Sequence, residues 1–189
     1  AYVSVSALDE SNAVVCYSMS SAGSCRVLTA AADGGLSRGS AQTFSSSTIS
    51  YSTVAALDNS SALVCYQYGS YSYCRKMSVS AGFSGSQTTL NTATTNYMSM
   101  SAFDSTSAVV CYEDDASGDY PACSVLRRSG TNLYLGTEAV AATVASTLVS
   151  VSALDSSSAV VCYRHESSSS PSYSGRCVMM TRGDGAEHM

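Results

Sequence analysis

The clearest shortage in this 189-residue chain is charge, because only 12% of its residues are Asp, Glu, Lys or Arg. That is about half the share usual in a soluble globular domain. With nine Lys and Arg and a net charge of −5, the chain lacks the basic surface that phosphate binding requires, which argues against a nucleic-acid partner. No apolar run approaches the roughly 18 residues of a membrane-spanning helix, so we expect no membrane span.

Residue types that commonly carry catalysis are also scarce. The two histidines are His165, in a variable loop, and His188, in the C-terminal tail, so no Ser-His-acid set stands on a rigid frame. A glycosidase would need paired carboxylates, and the candidates Glu113, Glu138 and Glu166 fall at unrelated positions in the chain. We therefore expect a protein that is not an enzyme and that uses no cofactor and no metal ion.

Serine is abundant, at roughly a fifth of the residues, and one phrase occurs four times. It first runs from Ser6-Ala7-Leu8-Asp9 to Cys16-Tyr17, and its aspartate recurs after 49, 46 and 51 residues. A period near fifty with strand-like content predicts an array of small β units, each too thin to bury its own apolar faces. We assign the repeats to residues 2–50, 51–96, 97–147 and 148–189, within a single domain of residues 1–189.

The first repeat indicates how one unit folds. Residues 2–8 alternate between apolar and small polar side chains, which is the pattern of a strand. Asp9 begins a turn, and residues 13–17 are apolar on both faces, like a strand covered on both sides. A third strand follows from Cys25, and a weaker fourth is expected at residues 41–44. The sequence thus predicts an all-β fold, a β-propeller-like array of four antiparallel blades of about 48 residues, with a β-solenoid as the main alternative.

The eight cysteines occur as two per repeat. A recurring unit should bridge within itself in the same way each time, so we predict one disulfide per blade. Zinc coordination is the alternative role for these cysteines, but separations of 9, 9, 12 and 15 residues do not resemble the short ligand spacings of structural zinc sites. Disulfides in turn indicate an extracellular or cell-surface protein. The predicted pairs are Cys16 with Cys25, Cys65 with Cys74, Cys111 with Cys123, and Cys162 with Cys177.

The fourth repeat ends without a counterpart of the fourth strand expected in the other three. Three explanations stay open: a ring that closes with one thin blade, a segment of a larger ring, or a strand donated by a neighbouring subunit. Ala1 leads directly into the first repeat, so we expect either a mature product or a piece of a longer protein.

The units Ser-Ala-Leu-Asp-x-Ser-x-Ala-Val-Val-Cys-Tyr, each followed by a second cysteine, resemble tandem repeats of large secreted or surface proteins of unicellular algae and related protists. The resemblance covers all four repeats through the aspartate and the two cysteines of each. It implies a propeller-like, extracellular protein with an architectural or binding role. Fold alone does not carry function, so the resemblance assigns no activity.

Two acidic features raise the question of a metal. A ring of the recurring aspartates is one way to bind calcium, but each begins a hairpin turn and is placed to cap backbone amides, which we favour. A second cluster, Asp114, Asp115 and Asp119, lies in an extended loop and is interpreted as solvated. The recurring aspartates are Asp9, Asp58, Asp104 and Asp155.

The tyrosines form two groups. Those that follow the strand cysteine are expected to pack between blades, whereas those in the bridge loops are candidate ligand-binding residues, because exposed tyrosine rings suit stacking on sugars. Asn59 begins the single N-glycosylation sequon, in a predicted exposed turn. The first group is Tyr17, Tyr66, Tyr112 and Tyr163; the second is Tyr68, Tyr71, Tyr73, Tyr120 and Tyr173.

Our main hypothesis is a non-enzymatic, extracellular structural or adhesive repeat protein. It would be a subunit or segment of a surface assembly or filament, with copies of itself or other extracellular matrix or surface proteins as partners. The alternative is a lectin-like β-propeller that binds glycans through the tyrosine-rich loops. The basic pairs Arg75-Lys76 and Arg127-Arg128 are expected to be solvated in either case.

Overall fold

The computed structural model describes residues 2–19, 21–166 and 173–182. These residues form four antiparallel sheets and one short 3-10 turn, η1 (Asp115–Ser117), and contain no helix long and apolar enough to cross a membrane. The first sheet contains β1 (Val3–Ala7), β2 (Asn12–Met19), β3 (Ala22–Ala30), β4 (Leu36–Arg38) and β5 (Gln42–Ser45). The second contains β6 (Ser50–Asp58), β7 (Ser61–Tyr68), β8 (Tyr71–Ser78) and β9 (Gly82–Asn91). The third contains β10 (Thr95–Asp104), β11 (Ser107–Asp114), β12 (Tyr120–Ser129), β13 (Asn132–Leu135) and β14 (Ala139–Val140), and the fourth contains β15 (Ser146–Ala153), β16 (Ser158–Glu166) and β17 (Tyr173–Thr181).

Strands within each sheet follow chain order, as in a meander, except that β5 pairs with β3 and β14 pairs with β12. The central strand of each unit carries the apolar Ala-Val-Val or Ala-Leu-Val run before its cysteine. In the middle of the array this run is covered on both faces, so that β11 is buried along its whole length and β7 along all but its last residue. The all-β class and the antiparallel sheets predicted from the repeat are confirmed.

One disulfide pins the second and third strands of each sheet. The cysteines stand directly opposite one another in the hairpin registers, with Cα atoms 4.0–4.1 Å apart. That spacing belongs to the non-hydrogen-bonded positions of an antiparallel pair, where side chains approach most closely. The four pairings are those that the repeat predicts, and no cysteine is free.

The sheets pack against one another in chain order, and apolar layers between neighbours form the core. Each layer joins side chains of two consecutive sheets, and the first strands of those sheets lie next to each other. The described strands of the fourth sheet do not pack back onto the first, so the array of described sheets is open at both ends and does not form the closed ring that was one of the three explanations. Buried representatives of the three layers are Val14 and Val64, Leu63 and Val110, and Val109 and Val161.

Each recurring aspartate caps the turn between the first two strands of its sheet. Its carboxylate accepts a hydrogen bond from the backbone N–H two residues later, at 2.7–2.8 Å in all four turns. The capping role favoured over calcium is therefore the observed one. The donors are Ser11, Ser60, Thr106 and Ser157, in chain order.

Two of these aspartates also receive an arginine from the next sheet. Arg128 Nη2 lies 3.4 Å from Asp58, and Arg182 Nη1 lies 3.5 Å from Asp104. The expectation that the Arg127-Arg128 pair is only solvated is wrong for Arg128. Its side chain bridges the second and third sheets and is about four-fifths buried.

The fourth strand expected in the first repeat is present, together with one strand that was not expected. The strand predicted at residues 41–44 is β5 (Gln42–Ser45), and the additional short strand β4 also pairs with β3. In the fourth sheet, the described residues form three strands, and the absence of a fourth strand from this repeat stays a prediction because residues 183–189 lie outside the described residues.

Candidate functional site

A cleft of about 430 Å3 opens between the first and second sheets. One wall is the segment of residues 43–47, where β5 ends, and the other is built from β7, β8 and β9. Its lining combines aromatic rings, hydroxyls, one amide and one guanidinium group. The side chains that define it are Phe44, Tyr66, Tyr68, Arg75 and Gln87, with Ser45, Ser46 and Ser47 at the rim.

The floor of the cleft is aromatic. The Phe44 ring is almost fully buried and lies 4.9 Å from the ring of Tyr66 and 5.6 Å from that of Phe83, between centroids. The Arg75 guanidinium carbon lies 5.4 Å from the Phe83 centroid, a distance at which a cation is attracted to the ring face. Aromatic packing therefore fixes the position of the arginine.

Polar groups at the cleft are oriented by hydrogen bonds across its walls. Arg75 Nη1 donates to the Phe44 carbonyl oxygen at 2.9 Å, which ties the two sheets together. The Tyr66 hydroxyl donates to Gln87 Oε1 at 3.0 Å. Burial raises the pKa of Tyr66, with Arg75 opposing the shift, so the phenol stays protonated at neutral pH. Arg75 Nε is buried and has no hydrogen-bond partner among the described residues.

The cleft carries a positive charge in a protein that is negative overall. Arg75 is its ionised lining residue, and neither a carboxylate nor a histidine is among the residues that line it. Such a site offers hydrogen-bond donors from a guanidinium and an amide, and both donors and acceptors from hydroxyls. It suits a polar ligand that also presents an apolar face to the rings.

The corresponding position between the second and third sheets has different side chains. Leu90 replaces Phe44, Ser124 replaces Arg75 and Glu138 replaces Gln87. The Tyr112 hydroxyl donates a short hydrogen bond to Glu138. Burial, followed by this bond, raises the pKa of Tyr112 strongly. The combination of arginine, amide and phenylalanine is thus specific to the first interface.

The structure does not bring the five predicted ligand-binding tyrosines into one site. Tyr68, Tyr71 and Tyr73 share the β7–β8 hairpin, whereas Tyr120 and Tyr173 lie on the third and fourth sheets. Tyr68 is about half exposed and lines the cleft. Tyr71 is as exposed as Tyr68 and pairs with it across the hairpin, but it does not line the cleft. Arg164 stacks over Tyr173, with 4.6 Å between its guanidinium carbon and the ring centroid.

The predicted packing tyrosines lie between the sheets, except at the open end. Tyr66, Tyr112 and Tyr163 are at most 5% exposed, whereas Tyr17 in the first sheet is only half-buried. Asn59 lies exposed in the turn between β6 and β7, so its glycosylation stays a prediction.

Acidic residues of the third and fourth sheets lie near a buried glutamate. Glu113 is 5% exposed, and burial raises its pKa, as do the nearby Asp119 and Glu166. Its Oε1 accepts a hydrogen bond from Asn96 at 3.0 Å, while Oε2 is buried without a partner among the described residues. Among all residues that the structure describes, no three His, Cys, Asp or Glu side chains are placed to hold a metal ion. His188 lies outside the described residues.

Sequence reasoning missed most of the cleft. The expectation that the Arg75-Lys76 pair is only solvated is wrong for Arg75, which contacts the Phe44 carbonyl oxygen and the Phe83 ring, and no sequence pattern predicts a binding role for Phe44 or Gln87. The cleft joins the end of one repeat to the middle of the next, so an interpretation repeat by repeat does not place these residues together. A signal was present, because Phe44 differs from its counterpart Leu90 in the second repeat, and Arg75 differs from its counterparts Ser124 and Val178 in the third and fourth repeats.

No protein-family model matches the chain, and no curated protein matches it. Among solved structures, it is similar to a mutant of Aleuria aurantia lectin in complex with alpha-methyl-L-fucoside, with 14% identity and a TM-score of 0.41. That match covers 89% of this chain and 61% of the lectin chain, so the protein spans less than two thirds of it. A second structure, of the lectin mutant with Fucalpha1-6GlcNAc, has 10% identity and a TM-score of 0.43, covering 93% of this chain and 77% of the other.

Proposed function

We propose that this protein is a non-enzymatic carbohydrate-binding protein and that the cleft between its first and second sheets holds one sugar unit of a glycan. The observation that carries the proposal is the cleft's combination of Arg75, Gln87 and Tyr68 over the Phe44 floor. Its volume of about 430 Å3 lies within the range of small-molecule sites.

A sugar ring presents hydroxyl groups around its edge and C–H groups on its faces. Hydroxyls both donate and accept hydrogen bonds, so they match the guanidinium, the amide and the serine hydroxyls at the rim. The C–H face matches an aromatic side chain such as Tyr68, which is amphipathic and half exposed. An entirely apolar ligand would leave these polar groups without partners, which costs binding free energy.

Binding without catalysis is the proposal because the cleft lacks the groups that glycoside hydrolysis needs. That reaction uses two carboxyl groups that flank the scissile bond, and none lines the cleft. The nearby carboxylate of Glu138 accepts a hydrogen bond from Tyr112 in a different interface.

A glycan array followed by titration with the best-bound sugar tests this function. We expect Tyr68→Ala and Arg75→Gln each to weaken binding by about tenfold, because each removes a contact worth roughly 1 kcal/mol or more. Tyr71→Ala is the matched control, since Tyr71 is equally exposed on the same hairpin but lies outside the cleft. Silence across broad sugar classes, or equal losses for Tyr68→Ala and Tyr71→Ala, would contradict the proposal.

We also propose an extracellular or cell-surface location. Four disulfides support it, because such bonds persist in oxidising compartments. The exposed sequon at Asn59 is accordingly a proposed glycosylation site, and a mass shift on treatment with an N-glycosidase checks it.

A structural or adhesive role is a second candidate, favoured by one observation. The two end sheets leave apolar side chains uncovered, among them Val5, Leu154 and Met179, each at least 60% exposed. Immunolabelling of the source cells tests this role, because it requires deposits in the extracellular matrix or on the cell surface. Dispersed intracellular label would contradict it.

A further inference from the structure

Each internal interface covers the disulfide of one sheet with the same kinds of side chain from the next. These are an apolar residue of the first strand, a valine of the central strand and the tyrosine after its cysteine. All nine of these side chains are at most 8% exposed. They are Val54, Val64 and Tyr66 over Cys16–Cys25; Met100, Val110 and Tyr112 over Cys65–Cys74; and Val151, Val161 and Tyr163 over Cys111–Cys123.

A pair of serines adds a directional element to this packing. In the first strand of one sheet, alternate hydroxyls accept hydrogen bonds from alternate N–H groups in the first strand of the next. Ser4 accepts from Val54 at 3.1 Å and Ser6 from Ala56 at 3.0 Å. The third and fourth sheets repeat the arrangement, because Ser99 accepts from the N–H of Val151 at 3.1 Å and Ser101 accepts from that of Ala153 at 3.0 Å. The second sheet has Thr53 and Ala55 at these positions.

On the first sheet, the side chains equivalent to those that cover a disulfide in the internal interfaces are exposed. Val5 is 62% exposed, whereas its counterparts Val54, Met100 and Val151 are 3%, 8% and 8% exposed. Val3, Val5, Val15 and Tyr17 lie on the same side of the first sheet, and we name this side the valine face. In the first strand of this sheet, Val5 and Ala7 are the counterparts of the N–H donors Val54 and Ala56.

The covered half is exposed on the fourth sheet. Leu154 is 60% exposed, whereas its counterparts Leu8 and Leu57 are both 8% exposed. A mostly apolar hollow of about 250 Å3 lies beside the disulfide of this sheet. We name this side the disulfide face; it consists of Ser150, Ser152, Leu154, Cys162, Cys177 and Met179, none of them buried.

We propose that the valine face of one copy of this chain docks on the disulfide face of a second copy, head to tail. Ser150 and Ser152 then accept from the N–H groups of Val5 and Ala7, and Val5, Val15 and Tyr17 cover the Cys162–Cys177 bridge. The three internal interfaces identify the occupant, because each has a sheet of this same repeat in that place. A head-to-tail contact closes into a ring or extends as a filament. The interface deepens the structural role proposed above and is separate from the glycan cleft.

Two single-face variants test this geometry by sedimentation velocity. Val5→Glu disables the valine face and Leu154→Glu disables the disulfide face; both side chains are exposed in one chain, so the fold should tolerate them, which melting curves verify. We expect the unmodified protein to associate with rising concentration and each variant alone to stay monomeric. An equimolar mixture of the two variants should form a species of two chains and no larger, since one good face of each kind remains.

Two further variants separate this interface from other contacts. Leu36→Glu is the matched control, because Leu36 is 69% exposed but lies on β4, outside both faces, and it should associate like the unmodified protein. Ser150→Ala with Ser152→Ala should weaken association by about tenfold through two lost hydrogen bonds. An unmodified protein that is monomeric over about a hundredfold concentration range, or a variant mixture without the two-chain species, would overturn the proposal. Neither outcome affects the glycan titration or the immunolabelling.

Discussion

The turn aspartates illustrate how one residue type stabilises every unit. Partial burial opposes ionisation of Asp104, but hydrogen bonds from Thr106 and Ser107 and the nearby Arg182 lower its pKa from 3.8 to about 2. Hydrogen bonds from Ser158 and Ser157 lower the pKa of Asp155 to about 2 as well. The ionised carboxylates are therefore bound more favourably in the folded chain than in the unfolded one.

This shift predicts a pH-dependent effect of Asp104→Asn. A depressed pKa contributes stability above the unfolded value of 3.8, and this contribution is lost as the pH falls through about 2. At about pH 6, Asp104→Asn should lower the melting temperature, and the difference from the unmodified protein should shrink between about pH 4 and about pH 2. Melting curves across this range measure it, and a difference that stays constant would contradict the assignment.

Gly23 lies against the aromatic floor of the cleft, which leaves no room for a side chain. An added methyl group would collide with the ring of Phe44 and lie 2.8 Å from Ile49 Cδ1. Gly23→Ala should therefore lower the free energy of unfolding by about 1–3 kcal/mol through overpacking. Gly175 stands at the same place relative to its cysteine and has nothing within 4 Å, so Gly175→Ala should stay within about 0.5 kcal/mol. Equal effects in chemical denaturation would contradict this account.

At the scale of the element, the hairpin and its disulfide form one unit whose environment varies along the array. Cys65–Cys74 is fully buried beneath the third sheet, whereas Cys162–Cys177 lies on an open face. Replacing both cysteines of the buried bridge by alanine loses loop constraint and interface packing, and should cost about 3–5 kcal/mol. The same change at Cys162 and Cys177 should cost about 2–3 kcal/mol, since loop constraint is the main loss.

Chemical denaturation of both double variants, at concentrations too low for association, measures this difference. A larger loss at Cys162 and Cys177 than at Cys65 and Cys74 would contradict the layered packing.

The sequence predicts the contacts within one repeat, but of the contacts between repeats it predicts only the packing of tyrosines such as Tyr66. Periodicity and turn chemistry were enough to place the Asp9 turn and the Cys16–Cys25 hairpin, because the contacts involved are local. The partners of Arg75 and Arg128 lie on neighbouring sheets, and a local pattern carries no information about such contacts. Short strands such as β4 depend on pairing with β3 more than on their own weak apolar pattern.

At the scale of the whole molecule, four near-copies of one sheet differ in what their neighbours leave exposed. The internal sheets have both faces covered, whereas the end sheets expose the valine face and the disulfide face. The cleft arises at the first interface because Phe44, Arg75 and Gln87 occur together there. The repeated sequence thus determines the four stacked sheets, and the residues that differ between repeats form the proposed binding site.

NMR mapping of the amide resonances during titration with the best-bound sugar measures whether the cleft between the first and second sheets is the sugar-binding site. We expect the shifted signals to cluster at residues 43–47, Tyr66, Tyr68, Arg75 and Gln87, which line the cleft. Shifts confined to the hairpins that carry Tyr120 and Tyr173, with the cleft signals unchanged at saturation, would contradict it.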